Sequence, residues 1–374
     1  MISREINTRD EHQVNQFIRF PFSIYADCDR WVPPLETDMK KMLDRGRHPF
    51  YRESEAAFFI VYDDNSNPKG RIAILNNRRY NLYNHCDYAF FYLFDVIEDI
   101  EAAKLLFDAG EQWARQRGLK TLMGPKGFTA LNGLGMLTKG FEYRPALGIP
   151  YNFSYYPVFM EKMGFKPYRD ILSGYMDRSF RIPEKVSKVA EMVKKKRGLK
   201  VQRFSKRADL LKMLPHLRDL YNGSLVGTSG NAPLTDEEAR EMADQILWIA
   251  NPRLIKILMK DTTPVGFLLA YPDISDALQR TNGKLWPFGW AVILRELKKT
   301  KWININGAGI LEEYRGMGGT AVLFNEMAKS VLEANYEKAD LVQVGVENER
   351  MQRELSSLGI KIYKTHRIYQ RDIR

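Results

Sequence analysis

The alternation of apolar and polar residues predicts the same succession of elements twice along the chain. In the first half, three short apolar runs have the β-branched and aromatic composition of strands and lie at 56–64, 69–77 and 86–94. A helical pattern follows from about 100 to 117, with apolar residues on one face, and then a short apolar strand at 119–124. A late helix at 155–165 ends at a glycine before another strand-like run.

The second half repeats this order. Its strand-like runs lie at 253–260, 263–271, 302–310 and 339–346. A helix at about 320–334 precedes the last of these runs. Two additional helices come before the strands, at 207–223 and 235–250. They are joined by a loop at 224–234, and the second begins with a capping box of Thr235 and Glu238.

This order of strands and helices predicts an α/β fold with a mixed α+β sheet. With 374 residues the chain is long for one core and suits two domains of about 150–200 residues each. The repeated order predicts two modules in tandem, at 1–178 and 200–374. A helical, charged stretch at 179–199 is the expected linker.

Composition narrows the class of protein. No stretch approaches 18 uncharged apolar residues and the first residues are polar, so we expect neither a membrane span nor a signal peptide. Cys28 and Cys86 cannot form a disulfide framework, and the five histidines lack metal-ligand spacing. The sequence therefore predicts a cytoplasmic, metal-free protein.

The charge is strongly positive. A count of 57 Lys and Arg against 46 Asp and Glu gives a formal charge of +11, which attracts anionic partners of any kind. One basic run spans 194–207. It is interpreted either as a phosphate-binding stretch or as a solvated helix end and linker.

The segment after 302–310 carries the most chemical information. The apolar strand leads through YRGMGGT, at 314–320, directly into an amphipathic helix. Glycines let the backbone approach an anion, and the unpaired amides and dipole of a helix's first turn favour negative charge. The loop has neither the Lys-Ser/Thr of a Walker loop nor the G-x-G-x-x-G of a dinucleotide site. It indicates a phosphate site, with a simple connecting turn as the alternative.

This loop resembles the Arg/Gln-x-x-Gly-x-Gly/Ala pyrophosphate loop of the GCN5-related N-acetyltransferase (GNAT) superfamily, which holds acetyl-coenzyme A. Thr320 stands at the last Gly/Ala position. Asn348, eleven residues before Gly359, is similar to the asparagine of that family that contacts the pantetheine arm. The resemblance implies two tandem GNAT-like modules. It also implies these coenzyme-binding residues: Gly309, Ile310, Leu311, Arg315, Gly316, Met317, Gly318, Gly319, Thr320 and Asn348.

The first module departs from this pattern where a diphosphate would bind. Between its third strand and its helix stand four carboxylates, at Asp95, Glu98, Asp99 and Glu101. Negative charge there would repel a diphosphate. We therefore expect the first module to be degenerate and the second to bind acetyl-coenzyme A.

In the family an amine attacks the thioester directly, so the protein positions the acyl group, removes a proton and stabilises an oxyanion. Leu355 occupies the position of the tyrosine that protonates the departing thiolate in many members. Tyr363 is the candidate replacement, or else a half-buried strand aromatic. The candidate bases are Asp273, Glu312 with its neighbour Glu313, and His366. The alternative interpretations are that Asp273 is a turn residue, that the two glutamates are solvated loop charges, and that His366 is a surface strand residue.

Two insertions are candidates for the acceptor site. The first, at 124–152, is rich in glycine and apolar residues. The second, at 277–301, carries aromatic residues among basic ones. It is expected to cover a substrate tunnel, to pack between the modules, or to touch a membrane surface.

The sequence thus predicts an N-acyltransferase that moves an acyl group from acetyl-coenzyme A to a small-molecule or peptide amine. Two alternatives remain open: an aminoacyl-tRNA-dependent transferase, which the positive charge would suit, and a non-catalytic coenzyme A sensor or interaction protein. We expect no DNA partner, and a monomer or homodimer.

Overall fold

The computed structural model describes residues 1–129, 132–225 and 232–373, so part of the loop predicted at 224–234 lies outside the described residues. The chain divides into two compact units. Unit 1 comprises Met1–Ile171, Ser275–Ile293 and Lys364–Arg374, and unit 2 comprises Leu172–Ile274 and Leu294–Tyr363.

The strands, in chain order, are β1 (Ile2–Glu5), β2 (Glu55–Tyr62), β3 (Pro68–Asn76), β4 (Tyr88–Val96), β5 (Thr121–Gly124), β6 (Met136–Lys139), β7 (Lys166–Met176), β8 (Leu199–Gln202), β9 (Ile255–Lys260), β10 (Thr263–Pro272), β11 (Trp302–Ile310), β12 (Lys338–Gly345) and β13 (Lys361–Asp372).

The helices are α1 (Glu11–Ile24), α2 (Glu36–Leu43), α3 (Arg78–Asn84), α4 (Ile100–Arg115), α5 (Tyr155–Lys162), α6 (Glu184–Arg197), α7 (Arg207–Leu211), α8 (Leu214–Leu225), α9 (Asp236–Leu247), α10 (Ser275–Thr281), α11 (Gly289–Lys299), α12 (Gly319–Glu333) and α13 (Glu349–Ser357). Among the helices of the described residues, none is long and apolar enough to cross a membrane.

Unit 1 is built on a mixed sheet with the order β1-β2-β3-β4-β5-β13. Its pairs are antiparallel except β4 with β5. β2 and β3 are almost wholly buried because α4 covers one face and α1 the other. Because both faces of the sheet are covered, the sequences of β2 and β3 are continuous apolar runs and do not alternate between apolar and polar residues.

Unit 2 contains the order β7-β12-β11-β10-β9-β8, in which β11 and β12 are parallel. α6 and α12 pack on one face through residues such as Val193 and Leu323. α7, α8 and α9 pack on the other face, around Phe267. The capping box of Thr235 and Glu238 is formed at the start of α9. The predicted mixed α/β fold is confirmed.

The compact units are not contiguous in sequence. Unit 1 takes Lys364–Arg374 from the end of the chain, and unit 2 takes 172–176 from the first half. The division into 1–178, 179–199 and 200–374 stays a prediction. Most of the expected linker is the helix α6, which packs on α12 within unit 2.

A buried carboxylate joins α12 to the basic run at 194–207. Glu326, 6 % exposed, accepts hydrogen bonds from Lys194 at 2.8 Å, Arg203 at 2.6 Å and Lys329 at 3.1 Å. Burial raises the pKa of Glu326, but these three cationic donors outweigh it and lower the pKa to about 2. Two residues of the basic run therefore have a structural role in holding α6 and β8 against α12.

Glu326→Ala should lower the free energy of unfolding by about 2 kcal/mol at pH 7, because it leaves three cations without their shared acceptor. The lowered pKa means that this stabilisation is present above about pH 4.5 and is lost as the pH falls towards 2. Urea unfolding at several pH values measures both effects.

Glu191→Ala is the matched control, because Glu191 pairs with the same Lys194 but its side chain is 61 % exposed. Its removal should lower the free energy of unfolding much less than Glu326→Ala does, because water and salt screen an exposed ion pair. Equal losses for the two variants would contradict the role assigned to Glu326.

His366, a candidate base, lies in β13 within unit 1 and is fully buried. Its Nε2 is 3.0 Å from the carbonyl oxygen of Pro150. Burial, with a smaller contribution from nearby Lys364, lowers the pKa of the imidazole to about 4. The ring is thus neutral at physiological pH, and the alternative of a surface strand residue is wrong.

A histidine whose pKa falls on folding binds more protons in the unfolded state between about pH 6.5 and 4, so stability should fall as the pH falls through that window. The expected loss is about 3 kcal/mol. His366→Gln removes the titrating group, so the stability of this variant should depend less on pH within that window. Thermal unfolding from pH 7 to 4 measures it, and an unchanged slope in the variant would contradict the buried neutral state.

Candidate functional site

The glycine loop connects the end of β11 to the start of α12. Gly316 and Gly318 have φ values of 80° and 82°, a left-handed conformation that glycine adopts without strain. A Cβ on Gly318 would lie 2.6 Å from a methyl carbon of Val193 on α6. Glycine is therefore needed at this position both for its conformation and for close packing.

Arg315 fixes the loop from within. Its Nε donates to the carbonyl oxygen of Ile310 at 3.1 Å, and its Nη2 donates to that of Ser224 at 2.9 Å. The guanidinium thus ties the loop to the end of β11 and to α8. Its direct contact with a diphosphate stays a prediction.

The backbone amides of 316–320 make no hydrogen bond to any described group of the chain. Gly318 is the N-cap residue of α12 and has no side chain that could accept from them. Five N–H groups at or just before the positive end of a 15-residue helix therefore have no acceptor among the described residues, although Gly319 itself is buried.

The corresponding helix of unit 1 is closed. Asp99 caps α4 by accepting from the amides of Glu101 at 2.8 Å and Ala102 at 3.3 Å. Asp95 is buried and paired with Arg71 at 2.7 Å. Two of the four carboxylates noted in the sequence thus act within the protein, one as a helix cap and one as an ion-pair partner.

A second difference between the two units lies beside α4 and α12, at the point where two parallel strands separate. In unit 2, the pairing of β11 with β12 ends at Ile305 and Leu341. The rest of β11 pairs with β10 across a bulge near Gly307. No side chain within the described ranges bonds to the backbone of Ala308 or Gly309. An open backbone edge therefore leads away from the glycine loop.

In unit 1 the same place is filled. The pairing of β4 with β5 ends at Phe90 and Met123. The hydroxyl of Tyr156 accepts from the amide of Val96 at 2.9 Å, and that of Tyr155 donates to its carbonyl oxygen at 2.7 Å. The protein's own tyrosines thus satisfy the backbone groups at the end of β4, whereas at the end of β11 Arg315 satisfies only the carbonyl oxygen of Ile310.

Asp273 and Tyr363 belong to one polar cluster in unit 2, which Asn304 and Asp340 complete. Asp273 is buried after β10 and accepts from Asn304 Nδ2 at 3.0 Å. Tyr363 donates its hydroxyl proton to the carboxylate of Asp340. Burial and the charge of Asp340 raise the pKa of Tyr363 far above its ordinary value, so the phenol stays protonated at neutral pH.

Sequence reasoning missed two members of this polar cluster. Asn304 and Asp340 are register partners on β11 and β12, and both are fully buried. The available signal was a polar residue inside an otherwise apolar strand, which a buried sheet tolerates only with a partner.

Ser224, at the end of α8, was also missed. It is buried, its hydroxyl has no partner among the described groups, and its Oγ would lie 2.9 Å from a Cβ on Gly309. No sequence motif marks it, because the contact with β11 depends on how α8 packs.

The remaining candidates lie elsewhere. Glu312 is exposed in a 3-10 helix, Glu312–Tyr314, beyond the far end of β11. With a rise of about 3.3 Å per residue, it is roughly 25–30 Å along the strand from the polar cluster. Asn348 caps α13, where its side chain accepts from the amide of Met351 at 3.0 Å. Leu355 is buried in the core of unit 2.

An apolar crevice opens beside β10 in unit 2. It is enclosed by α8, α9 and β10, and its lining includes Leu217, Tyr221, Ala243, Ile246, Phe267 and Leu269. Phe267 pairs in register with Gly309, and its ring would meet a Cβ there at 2.9 Å. The crevice therefore begins beside Gly309, on the side of β11 that pairs with β10.

Comparison with known proteins places these features in context. No protein-family model matches the chain. The chain is 26 % identical over 382 residues to Protein YghO of Escherichia coli K12, covering 97 % of this chain and 94 % of that protein. It is 24 % identical over 374 residues to the bacterial ceramide synthase of Caulobacter vibrioides, covering 96 % and 94 %.

Solved structures resemble the whole chain. A tandem GNAT protein from the clavulanic acid biosynthesis pathway aligns with a TM-score of 0.56 and 13 % identity, covering 100 % of this chain and 98 % of the other. A GCN5-related N-acetyltransferase from Sphaerobacter thermophilus aligns with a TM-score of 0.51 and 15 % identity, covering 100 % and 96 %. The fold of the chain is therefore that of the tandem GCN5-related N-acetyltransferase proteins.

Proposed function

We propose that this chain transfers an acyl group from a coenzyme A thioester to an amine acceptor, with the donor held by unit 2. The observation that carries this proposal is the set of unpaired amides at 316–320. The contrast with α4, whose first-turn amides are capped by Asp99, supports a ligand site at α12 rather than a general property of the fold.

In this proposal the diphosphate lies against the glycine loop, next to the positive end of α12. Arg197 adds positive charge, since its Nη1 is 3.4 Å from the carbonyl oxygen of Gly316. The pantetheine arm follows the open edge of β11, where Gly309, Ile310 and Leu311 offer backbone groups. Asn348 stays a proposed contact of this arm.

A donor placed in this way has its thioester near the bulge of β11, next to the polar cluster. Asp273 is the proposed acceptor of the amine proton. Tyr363, which keeps its proton at neutral pH, is the proposed donor to the departing thiolate. The amine attacks the thioester carbonyl, the tetrahedral oxyanion collapses, and the amide and free thiol leave. Glu312 lies at the diphosphate end and is a weaker candidate for this chemistry.

The apolar crevice favours an acyl chain longer than the acetyl group that the sequence resemblance implies. Its lining is almost entirely hydrocarbon, which suits an alkyl group, and its volume of about 50 Å³ means that α8 and α9 have to separate before a long chain enters. The relative from Caulobacter vibrioides is named a bacterial ceramide synthase. Ceramides are long-chain amides, so that name agrees with a lipid-like amide product here.

Thr320→Glu tests the donor site. Thr320 is in the first turn of α12, where a carboxylate favours the helix but would occupy the place of the diphosphate. Coenzyme A affinity, measured by calorimetry, should fall at least about tenfold.

Thr320→Gln is the matched neutral control and should retain affinity within about threefold. Circular dichroism and the melting temperature verify that both variants fold. Equal affinity of Thr320→Glu and Thr320→Gln for coenzyme A would contradict the assigned site.

Ala243→Phe tests the crevice by filling it from α9. The unmodified chain should bind palmitoyl-coenzyme A at least about tenfold more tightly than acetyl-coenzyme A, and the variant should lose that preference. Titration below the micellar range of the long-chain thioester measures the ratio. Affinity for free coenzyme A serves as the internal control, and a proportional loss for all three ligands would contradict an acyl-chain pocket.

A further inference from the structure

The segment that leads into α11 exposes large apolar side chains. Trp286 is 78 % exposed, Phe288 73 %, Trp290 49 % and Leu294 49 %. Four such residues lie within nine positions of the sequence, and water-soluble proteins rarely expose so many large apolar side chains so close together. We call these four residues the aromatic ridge.

The ridge is held rigidly. A Cβ on Gly289 would lie only 1.8 Å from the carbonyl oxygen of Lys284, so the turn before α11 is tightly closed. Gly283 accepts from the amide of Glu36 at 2.9 Å. Gln279, on α10, donates to the carbonyl oxygens of Asp29 at 2.7 Å and Trp31 at 2.9 Å. The aromatic side chains are thus presented by a fixed support.

The helix α11 has two different faces. Ile293 is fully buried, whereas Trp290, Leu294 and Lys298, each four residues apart, are exposed on one side. The exposed side is apolar at the start of the helix and basic at its end. This distribution is typical of a helix that lies in a membrane interface, with aromatic rings inserted and basic side chains at headgroup level.

Charge selects the kind of surface that would be bound. The stretch 280–301 contains six basic residues and one acidic residue, Glu296. Exposed basic side chains flank the ridge on both sides, at Lys284, Arg295, Lys298, Lys299 and Lys301. A lipid surface with negative headgroups is complementary to this pattern, and tryptophan favours the boundary between headgroups and acyl chains.

We propose that the aromatic ridge and its flanking basic residues dock the protein on an anionic lipid bilayer. Trp286, Phe288, Trp290 and Leu294 enter the interface, and the lysine and arginine side chains contact the phosphate groups. This inference does not rest on the acyl-transfer function, because it concerns a surface separate from the glycine loop. It assigns the insertion at 277–301 the membrane-contact role among the roles considered for it.

The test uses the full chain and sedimentation with vesicles of phosphatidylcholine, alone or with about 30 mol % phosphatidylglycerol. The unmodified protein should sediment with the anionic vesicles and hardly with the neutral ones. Trp286→Ser/Phe288→Ser should reduce the bound fraction at least about tenfold, because the two aromatic side chains supply most of the apolar area that enters the bilayer. Lys298→Glu/Lys299→Glu should weaken binding and reduce its salt dependence.

Leu82→Ser/Tyr83→Ser is the matched control, since these neighbouring residues on α3 are 79 % and 47 % exposed but lie outside the ridge. It should bind vesicles like the unmodified chain. Equal binding by all variants, or equal binding to neutral and anionic vesicles, would overturn the proposal. A third result would also overturn it: the protein does not bind vesicles, and light scattering shows a dimer that is lost when Trp286 and Phe288 are replaced. The ridge would then be an interface between two copies of the chain.

Discussion

The start of α12 carries N–H groups that have no acceptor among the described residues of unit 2. A serine or aspartate cap would stabilise the helix by only about 0.3 kcal/mol more than glycine does, so Gly318 leaves the amides open at little cost. Packing compensates for the missing cap. Gly319 lies against Leu258 and Ile310, and Val193 covers Gly318. The ion pairs of Glu326 hold α6 in the place that this packing requires.

The two units show how the same fold can be closed or open at equivalent points. In unit 1 the first-turn amides of α4 bond to Asp99, and Val96 at the end of β4 bonds to Tyr155 and Tyr156. At these two points unit 1 supplies hydrogen-bond partners from its own side chains, whereas the amides at 316–320 in unit 2 have no acceptor among the described residues.

Local patterns were sufficient to predict most elements and the glycine loop. The expected strand at 302–310 coincides with β11, and the helix expected at about 320–334 is Gly319–Glu333, because both depend on nearby residues. Contacts between distant residues were out of reach. The pairing of Tyr363 with Asp340 and the burial of His366 arise from β13, whose neighbours no local pattern identifies. The position of Ser224 beside Gly309 likewise depends on how α8 packs.

The strand β13 has a consequence for how the chain is made. Its residues Tyr369 to Asp372 pair with Gly124 to Thr121, so the edge of β5 is covered by a segment that is synthesised much later than β5. Until the ribosome releases that segment, unit 1 carries an exposed strand edge, the kind of template on which nascent chains associate wrongly. Residues from both halves of the polypeptide must therefore be synthesised before the sheet of unit 1 is complete, so the two halves depend on being made as one chain.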